Sequence, residues 1–267
     1  MLRILAAIAI TFFASTGGHP AQPAAPQTGE EIVAKHIEAL GGKEKLQGLN
    51  SLYLEGTAVL PSGLEITCKI WRVYDRLYRM ELNYGESQIV LVATPAKGWT
   101  TNPSTGGEVR AITGEDLKAL RVEIDPAGPL ADYSAKGFKV ERVGFDTVAG
   151  EACYKVRVSC PSNHSITYSI DEKNYYVLKE VRRGGGILCG GGLGGPWNGS
   201  PGSEVSIEYG DHKKGPGGYV LPYQITVSGL GATIAVSKVE INSTINVDGL
   251  CRPNQASLAS RSAGHGK

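Results

Sequence analysis

Three histidines lie in the central part of the chain, at positions that do not favour a shared metal site. His36 falls in a predicted helix, His164 in a turn and His212 in a polar loop. Metal sites bring three or four ligands to one point, and neither a His-Glu-x-x-His nor a Cys-x-x-Cys spacing is present. His36 stands beside Val33 and Ile37, which favours a half-buried helix residue. We therefore predict no metal ion and no cofactor.

The usual signatures of nucleophilic catalysis and phosphate binding are also absent from the sequence. There is no Gly-x-Ser-x-Gly elbow and no phosphate loop that ends in Gly-Lys-Ser/Thr. The Gly-rich run at 191–195 follows no clean strand and opens no helix, so it does not have the context of a nucleotide loop. We predict a protein that is not an enzyme. An exported enzyme with an unrecognised site is the least favoured alternative.

Five cysteines allow disulfides but leave at least one thiol unpaired within the chain. Cys153 and Cys160 are seven positions apart in one predicted strand. They would lie roughly 23 Å apart and on opposite faces, which is beyond disulfide reach. Cys68 is in another predicted strand. Cys189 and Cys251, both in predicted loops, are the candidate pair.

The best candidates for contact with a ligand are apolar residues with adaptable or polar-tipped side chains. The strand predicted at 77–84 places four of them on one face, because side chains alternate along a strand. Methionine and aromatic rings form apolar walls that accommodate varied ligands. The alternative interpretation is ordinary sheet core, which uses the same residue types. The candidate ligand-binding residues are Tyr78, Met80, Leu82 and Tyr84, together with Trp99.

The N-terminus has the three-part layout of a secretory signal. Arg3 precedes an apolar run over 4–14 and a small-residue stretch over 15–18. The run is shorter than the about 20 residues of a bilayer span, so we expect a mature chain that does not span the membrane. The flank is rich in small residues and proline, so we expect cleavage. An uncleaved anchor is the alternative. We predict a signal peptide at 1–20, a disordered leader at 21–29 and a periplasmic location.

Charge excludes two classes of partner. The chain has 27 basic and 26 acidic residues, for a formal net charge of +1. Such a balance creates no field that would attract nucleic acid or an anionic membrane surface.

Hydrophobic periodicity predicts a short helix followed by many strands. Thr28 with Glu31 forms a capping box, and apolar residues recur at helical spacing until Gly41. A second helix opens at Thr113 and cannot continue past Asp125-Pro126. Between and after these helices the period is two, and strands are predicted at 51–60, 64–73, 77–84, 87–94, 151–158, 166–170, 175–182, 203–209, 219–227 and 232–241, with a short strand near Trp99.

These elements predict one mainly β (α+β) domain over 30–253. A Gly-rich loop insertion interrupts it at 184–202, and a disordered tail follows at 254–267. About ten strands make a large antiparallel sheet, and two helices are too few to cover its apolar face. Either the sheet curls around a cavity or it packs on itself as a sandwich. Periodicity does not choose between the two.

Four segments resemble the LolA/LolB-like half-barrel superfamily of periplasmic outer-membrane lipoprotein carriers and lipoprotein-sorting proteins. They are the opening 31–46 with Ser51-Leu52 and Gly56-Thr57, the Gly98-Trp99 turn, the hairpins over 150–179, and Tyr219 to Pro222 followed by 250–253. The resemblance implies an open half-barrel with the N-terminal helix and a second short helix on its concave face.

The same resemblance implies transport or binding of an apolar ligand, such as a lipid or a lipoprotein acyl chain. An envelope protein-interaction or sensor module is the alternative function, with the sheet edge or the Gly-rich loop as its contact surface. We expect a monomer.

Overall fold

A computed structural model describes residues 27–103, 106–161, 164–183, 204–228 and 231–253. The predicted signal peptide (1–20), the Gly-rich loop (184–202) and the tail (254–267) lie outside the described residues, as does Cys189. Within the described residues, every helix is too short or too polar to cross a bilayer.

Thirteen strands and a few short helices make up the described chain. The helices are α1 (Gly29–Ala39), α2 (Lys43–Gln47), α3 (Gly114–Arg121) and α4 (Val247–Leu250), with a 3-10 helix (Val122–Ile124) directly after α3. The strands are β1 (Ser51–Val59), β2 (Glu65–Val73), β3 (Leu77–Tyr84), β4 (Ser87–Ala93), β5 (Gly98–Thr101), β6 (Arg110–Ile112), β7 (Lys139–Val148), β8 (Glu151–Ser159), β9 (Ser165–Asp171), β10 (Val177–Arg183), β11 (Glu204–Lys214), β12 (Val220–Val227) and β13 (Thr233–Ile241).

All thirteen strands belong to one open antiparallel sheet, in the order β6-β5-β4-β3-β2-β1-β13-β12-β11-β10-β9-β8-β7. Strands β6 and β7, which are neighbours in sequence, form the two free edges. The prediction of a mainly β fold with a large antiparallel sheet and an open half-barrel is confirmed. The sandwich alternative is wrong, because all the strands of the described residues form one sheet.

The sheet curves strongly. Strands β2 and β10 are five steps apart in the sheet order, which would be about 24 Å in a flat sheet. Nevertheless Arg72 on β2 and Arg182 on β10 both form ion pairs with Glu123. The single carboxylate of Glu123 reaches both arginines because the sheet curls until β2 and β10 lie opposite each other. We call the inner surface of this curled sheet the concave face.

Helix α1 covers the concave face of β7 and β8. Its capping box forms as predicted: Thr28 Oγ1 accepts from the Glu31 backbone N–H at 3.2 Å, and Glu31 Oε2 accepts from the Thr28 N–H at 2.9 Å. The fully buried side chains of Ile32 and Val33 pack in an apolar cluster with residues of β7, β8 and β9, namely Val140, Val156, Val158, Ile166, Tyr168 and Ile170.

The outer face of β3 to β5 is covered by the C-terminal segment around α4. Leu77, Val90, Val92 and Trp99 pack against Val247. Arg79, whose exposed fraction is only 2 %, donates from Nη1 to the Leu250 carbonyl at 2.7 Å. Trp99 Nε1 donates to the Cys251 carbonyl at 2.9 Å. The two hydrogen bonds hold this segment on the sheet.

Three details differ from the sequence prediction. Strands β6 and β7 were not predicted, and β7 contains a bulge at Gly144 (φ 148°) that breaks its alternation. The prediction that His212 lies in a loop is wrong, because β11 continues through it to Lys214. Thr113 precedes α3 as predicted, but its side chain makes no capping hydrogen bond.

Candidate ligand-binding site

A cavity of about 450 Å³ opens at one end of the half-barrel. The C-terminal ends of β2, β4 and β8 lie there, and Tyr74, Pro95 and Pro161, which come shortly after these strands, line the cavity. The remaining wall comes from α3, the 3-10 helix and the loop that leads to β7, including Val122, Ile124, Pro129 and Phe138. Ligand pockets are commonly about 300–1,000 Å³ and mostly apolar with a few polar groups. This cavity has such a size and a mainly apolar surface, and the charged residues of its wall are Asp75, Lys118, Arg121, Asp125 and Lys136.

Residues 114–138, which we name the bridging segment, connect the two free edges of the sheet. Their first part packs on the concave face of β3 and β4, where Leu117, Leu120 and Ile124 contact a cluster that includes Tyr78 and Leu91. The loop over 125–138 is held by Lys136, which donates to the Gly128 carbonyl at 2.8 Å and pairs with Asp125. The bridging segment therefore closes one end of the half-barrel and forms one side of the cavity.

Glu123 anchors the bridging segment to both halves of the sheet. Its exposed fraction is 3 %. Arg72 Nη2 lies 2.5 Å from Glu123 Oε2, and Arg182 Nη1 contacts Glu123 Oε1. Arg182 also pairs with Glu180 at 3.0 Å. A buried carboxylate is tolerated only when it is paired in this way.

The pKa shifts in this network follow from its charges. Burial alone would raise the pKa of Glu123, but the charges of Arg182 and Arg72 outweigh it and hold this pKa below its usual value. For Arg182, burial opposes the charged form, and the carboxylates of Glu123 and Glu180 raise its pKa well above the usual value. All three groups therefore stay charged at neutral pH.

Tyrosines surround the network. Burial, followed by the nearby carboxylates, raises the pKa of Tyr78, Tyr168 and Tyr209, so their hydroxyls remain protonated. The Tyr168 hydroxyl is buried and has no hydrogen-bond partner within the described residues. Polar groups thus lie within an otherwise apolar concave face.

Of the candidate residues, the four on β3 share the concave face, and Trp99 does not. Tyr78 and Met80 lie under α3, and Leu82 packs in a second cluster with Cys68 and Ile234. Trp99 pairs with Val92, whose neighbour on β3 is Arg79, so it shares the outer face with Arg79. None of the five candidates lines the cavity. A contact between the β3 residues and a ligand stays a prediction.

The histidines hold structural positions. His36 is buried, its Nδ1 lies 2.7 Å from the Tyr175 carbonyl oxygen, and burial lowers its pKa to about 4. His212 stacks on Tyr176 with ring centroids 4.9 Å apart. Within the described ranges no cluster of three or more histidine, cysteine, aspartate or glutamate residues could hold a metal ion. Cys68, Cys153, Cys160 and Cys251 are free thiols.

Sequence reasoning missed Glu123, Arg72 and Arg182. The sequence signal for this network was the position of Arg72 in the alternation of its strand. Arg72 alternates in phase with Ile66, Cys68 and Ile70, which are apolar and face inward. A charged residue at an inward position suggests a buried ion pair, but the sequence does not name its partner across the barrel.

Comparison with known proteins supports the fold and goes no further. No protein-family model and no curated protein matches the chain. The structure is similar to the crystal structure of a DUF1329 family protein from Desulfovibrio piger, with a TM-score of 0.50 and 11 % identity over 85 % of this chain and 98 % of that one. A LolA superfamily protein from Nitrosomonas europaea matches with a TM-score of 0.47 and 10 % identity, covering 86 % of this chain and 100 % of the other.

The architecture is an open antiparallel half-barrel. A single open antiparallel sheet carries helices on its concave face, as the sequence resemblance implied. At these identities the likeness concerns the fold.

Proposed function

We propose that this protein is a non-enzymatic binder that holds an apolar ligand, such as an acyl chain, in the cavity at the end of the half-barrel. The observation that carries the proposal is the apolar lining of this cavity. Tyr74, Val122 and Phe138 offer apolar surface to a guest, and burying a ligand's hydrocarbon there is favourable by about 25 cal/mol per Å².

The bridging segment suggests how a longer chain could be accommodated. It separates the cavity from Tyr78 and Met80 and is fastened by ion pairs at Glu123 as well as by apolar contacts. A small outward movement of α3 and the 3-10 helix would join the cavity to the concave wall of β3. In this proposal Tyr78, Met80, Leu82 and Tyr84 become ligand contacts when the segment moves.

We also propose that the chain is exported before it binds its ligand. The signal-like residues 1–20 support this part of the proposal. Mass measurement of the protein isolated from the cell envelope tests it directly. A mature mass that lacks about the first twenty residues is expected, and a full-length mass in the cytoplasmic fraction would contradict export.

Titration with a fluorescent fatty-acid analogue tests ligand binding. The test variant is Tyr74→Ser, because Tyr74 lines the cavity and its exposed fraction of 57 % makes the fold tolerant of change. The matched control is Phe145→Ser, an aromatic residue with an exposed fraction of 63 % that is away from the cavity. We expect Tyr74→Ser to weaken binding about tenfold, a change of about 1.4 kcal/mol, and Phe145→Ser to leave it unchanged.

Two results would contradict the proposal. One is the absence of saturable binding by the wild-type protein, together with no lipid in an organic extract of protein purified from the envelope. The other is equal loss of binding in Tyr74→Ser and Phe145→Ser, which would place the probe on general apolar surface.

A further inference from the structure

A second cavity, of about 660 Å³, lies on the outer face of β7 to β10 and has a different chemical character. Its lining is polar and includes the hydroxyl-bearing residues Ser159, Ser165 and Thr167. The cavity is separate from the apolar site described above, and the proposed function does not use it.

Three cations converge on this cavity because of strand register. Lys155 on β8 and Lys179 on β10 both pair with Ser169 on β9, so they flank the same position about 10 Å apart. Arg157 lies two residues further along β8, opposite Thr167. All three line the cavity. Within the described residues, their side chains form no hydrogen bond and no ion pair.

The acidic residues in the lining offset only part of this positive charge, and the charges of Lys179 and Lys155 help to lower the pKa of Asp146. Asp146 Oδ2 accepts from Ser169 Oγ at 2.7 Å, and its Oδ1 accepts from the Thr147 backbone N–H at 2.9 Å. Glu204 also takes part in an interaction of its own. The three cations outnumber the two carboxylates of the lining, and like charges close together on one face cost stability unless a further anion offsets them. Lysine, arginine and hydroxyl groups around one concave space are the donors that oxyanions prefer.

The two cavities adjoin at the turn between β8 and β9. Cys160 lines both of them. On one side of Cys160 the wall continues through Pro161 to the apolar cavity, and on the other side it continues through Ser159 to the polar cavity. A molecule with an apolar chain and an anionic head group would therefore meet a matching surface on each side of this turn.

We propose that the ligand is an anionic amphiphile, whose chain occupies the apolar cavity and whose phosphate-like head group binds Lys155, Arg157 and Lys179. This inference rests on the proposed function, because it assigns the polar end of the same guest. Free phosphate would be recognised by the same three cations, so the experiment has to separate the two sources.

The test compares three probes by calorimetry at low salt, because exposed charge pairs are screened as salt rises. Decyl phosphate carries both features, 1-decanol has the chain alone, and inorganic phosphate has the anion alone. We expect decyl phosphate to bind at least about tenfold more tightly than 1-decanol. Lys155→Gln combined with Lys179→Gln should remove most of this difference and leave 1-decanol binding unchanged. Arg157→Gln should act in the same direction.

The matched control is Lys214→Gln, an exposed lysine at the end of β11 that is away from both cavities. It should leave the binding of all three probes unchanged. Equal affinities for decyl phosphate and 1-decanol would overturn the inference while leaving the proposed function in place. Failure of both probes would overturn the proposed function. Binding of inorganic phosphate as tight as that of decyl phosphate would overturn the amphiphile and leave a simple anion site.

Discussion

The concave face has two covers, and they are held by different forces. Helix α1 lies over β7 and β8 through aliphatic side chains such as Ile32 and Val33, which are fully buried. The 3-10 helix of the bridging segment contacts β2 and β3 and adds a buried carboxylate, Glu123, which pairs with arginines on both sides of the barrel.

This difference separates a permanent cover from an adjustable one. Aliphatic burial is non-directional and tolerates small shifts, whereas the Glu123 ion pairs require both arginines in place. A buried ion pair adds little net stability, but it strongly penalises any state in which one partner is left unpaired. The bridging segment therefore has a defined closed position, which suits a cover that has to move and return.

The largest effect is expected from Glu123→Gln, which leaves two arginines facing a neutral amide. Removing one partner of a buried pair costs about 3–5 kcal/mol, and we expect a loss near 4 kcal/mol in the free energy of unfolding. Urea unfolding measures the change. Hydrogen exchange should also show faster exchange over 114–124 than over α1.

The control for this variant is Glu115→Gln, on the same segment but exposed; among the described residues, Glu115 pairs with Lys118 and His164. Its unfolding midpoint should match the wild type. A loss below about 1 kcal/mol for Glu123→Gln would mean that the ion pairs do not define the closed position.

The aliphatic cover is tested by Ile32→Ala, which deletes a fully buried side chain from α1. Such truncations cost about 2–5 kcal/mol, and we expect about 3 kcal/mol. Binding of the fatty-acid analogue should survive, because Ile32 does not line the cavity. Unchanged stability would show that α1 is not a structural cover, and loss of probe binding in a folded variant would remove the distinction between the two covers.

Acid should weaken α1 before it affects Glu123. The pKa of His36 is about 4 in the folded protein because of burial, compared with about 6.5 when unfolded. The unfolded chain therefore binds more protons between these values, and stability is full above about pH 6.5 and declines as the pH falls toward about 4. The loss should reach about 2 kcal/mol by about pH 5. Glu123, whose pKa is lowered, loses its contribution only below the ordinary carboxyl range.

Unfolding curves of the wild type and His36→Gln at several pH values measure this effect. The variant should be less sensitive to pH between about 7 and 5. Parallel dependence in the two proteins would contradict the assignment to His36.

The fold could be predicted where local patterns agree with it. The β3 residues Tyr78 to Tyr84 alternate cleanly, and register places them on one face as expected. Strand β7 was missed because the bulge at Gly144 shifts its alternation, and a bulge is not visible in a period-two pattern. The curvature of the sheet was left open, since it depends on contacts between distant strands.

The site could be predicted less well than the fold. Trp99 was grouped with the β3 residues by chemical type. The face of the sheet on which it lies is fixed by its pairing with Val92, and the periodicity of a four-residue strand does not reveal that pairing. Glu123 lies in a 3-10 helix after α3, where helical spacing no longer applies. Its role depends on Arg72 and Arg182, which are far apart in sequence and meet only when the sheet has curled.

The smallest change in stability is expected at the N-termini of α1 and α3, the helices of the two covers. Thr28 and Thr113 were both predicted to begin helices, but only Thr28 accepts a capping hydrogen bond, from the N–H of Glu31. Thr28→Ala should cost about 1 kcal/mol, the usual value of an N-cap, and Thr28→Ser should retain most of the stability. Thr113→Ala should leave the unfolding midpoint nearly unchanged.

Thermal unfolding of the three variants measures the difference. Equal losses for Thr28→Ala and Thr113→Ala would mean that α3 is also capped in solution, and the contrast between a firmly anchored α1 and a more loosely begun α3 would fail. A loss confined to Thr28→Ala would place the weaker helix start in the bridging segment. A cover that opens for a ligand needs its weaker helix start there. Fraying from the uncapped N-terminus of α3 would unwind the helix before it disturbs the ion pairs at Glu123.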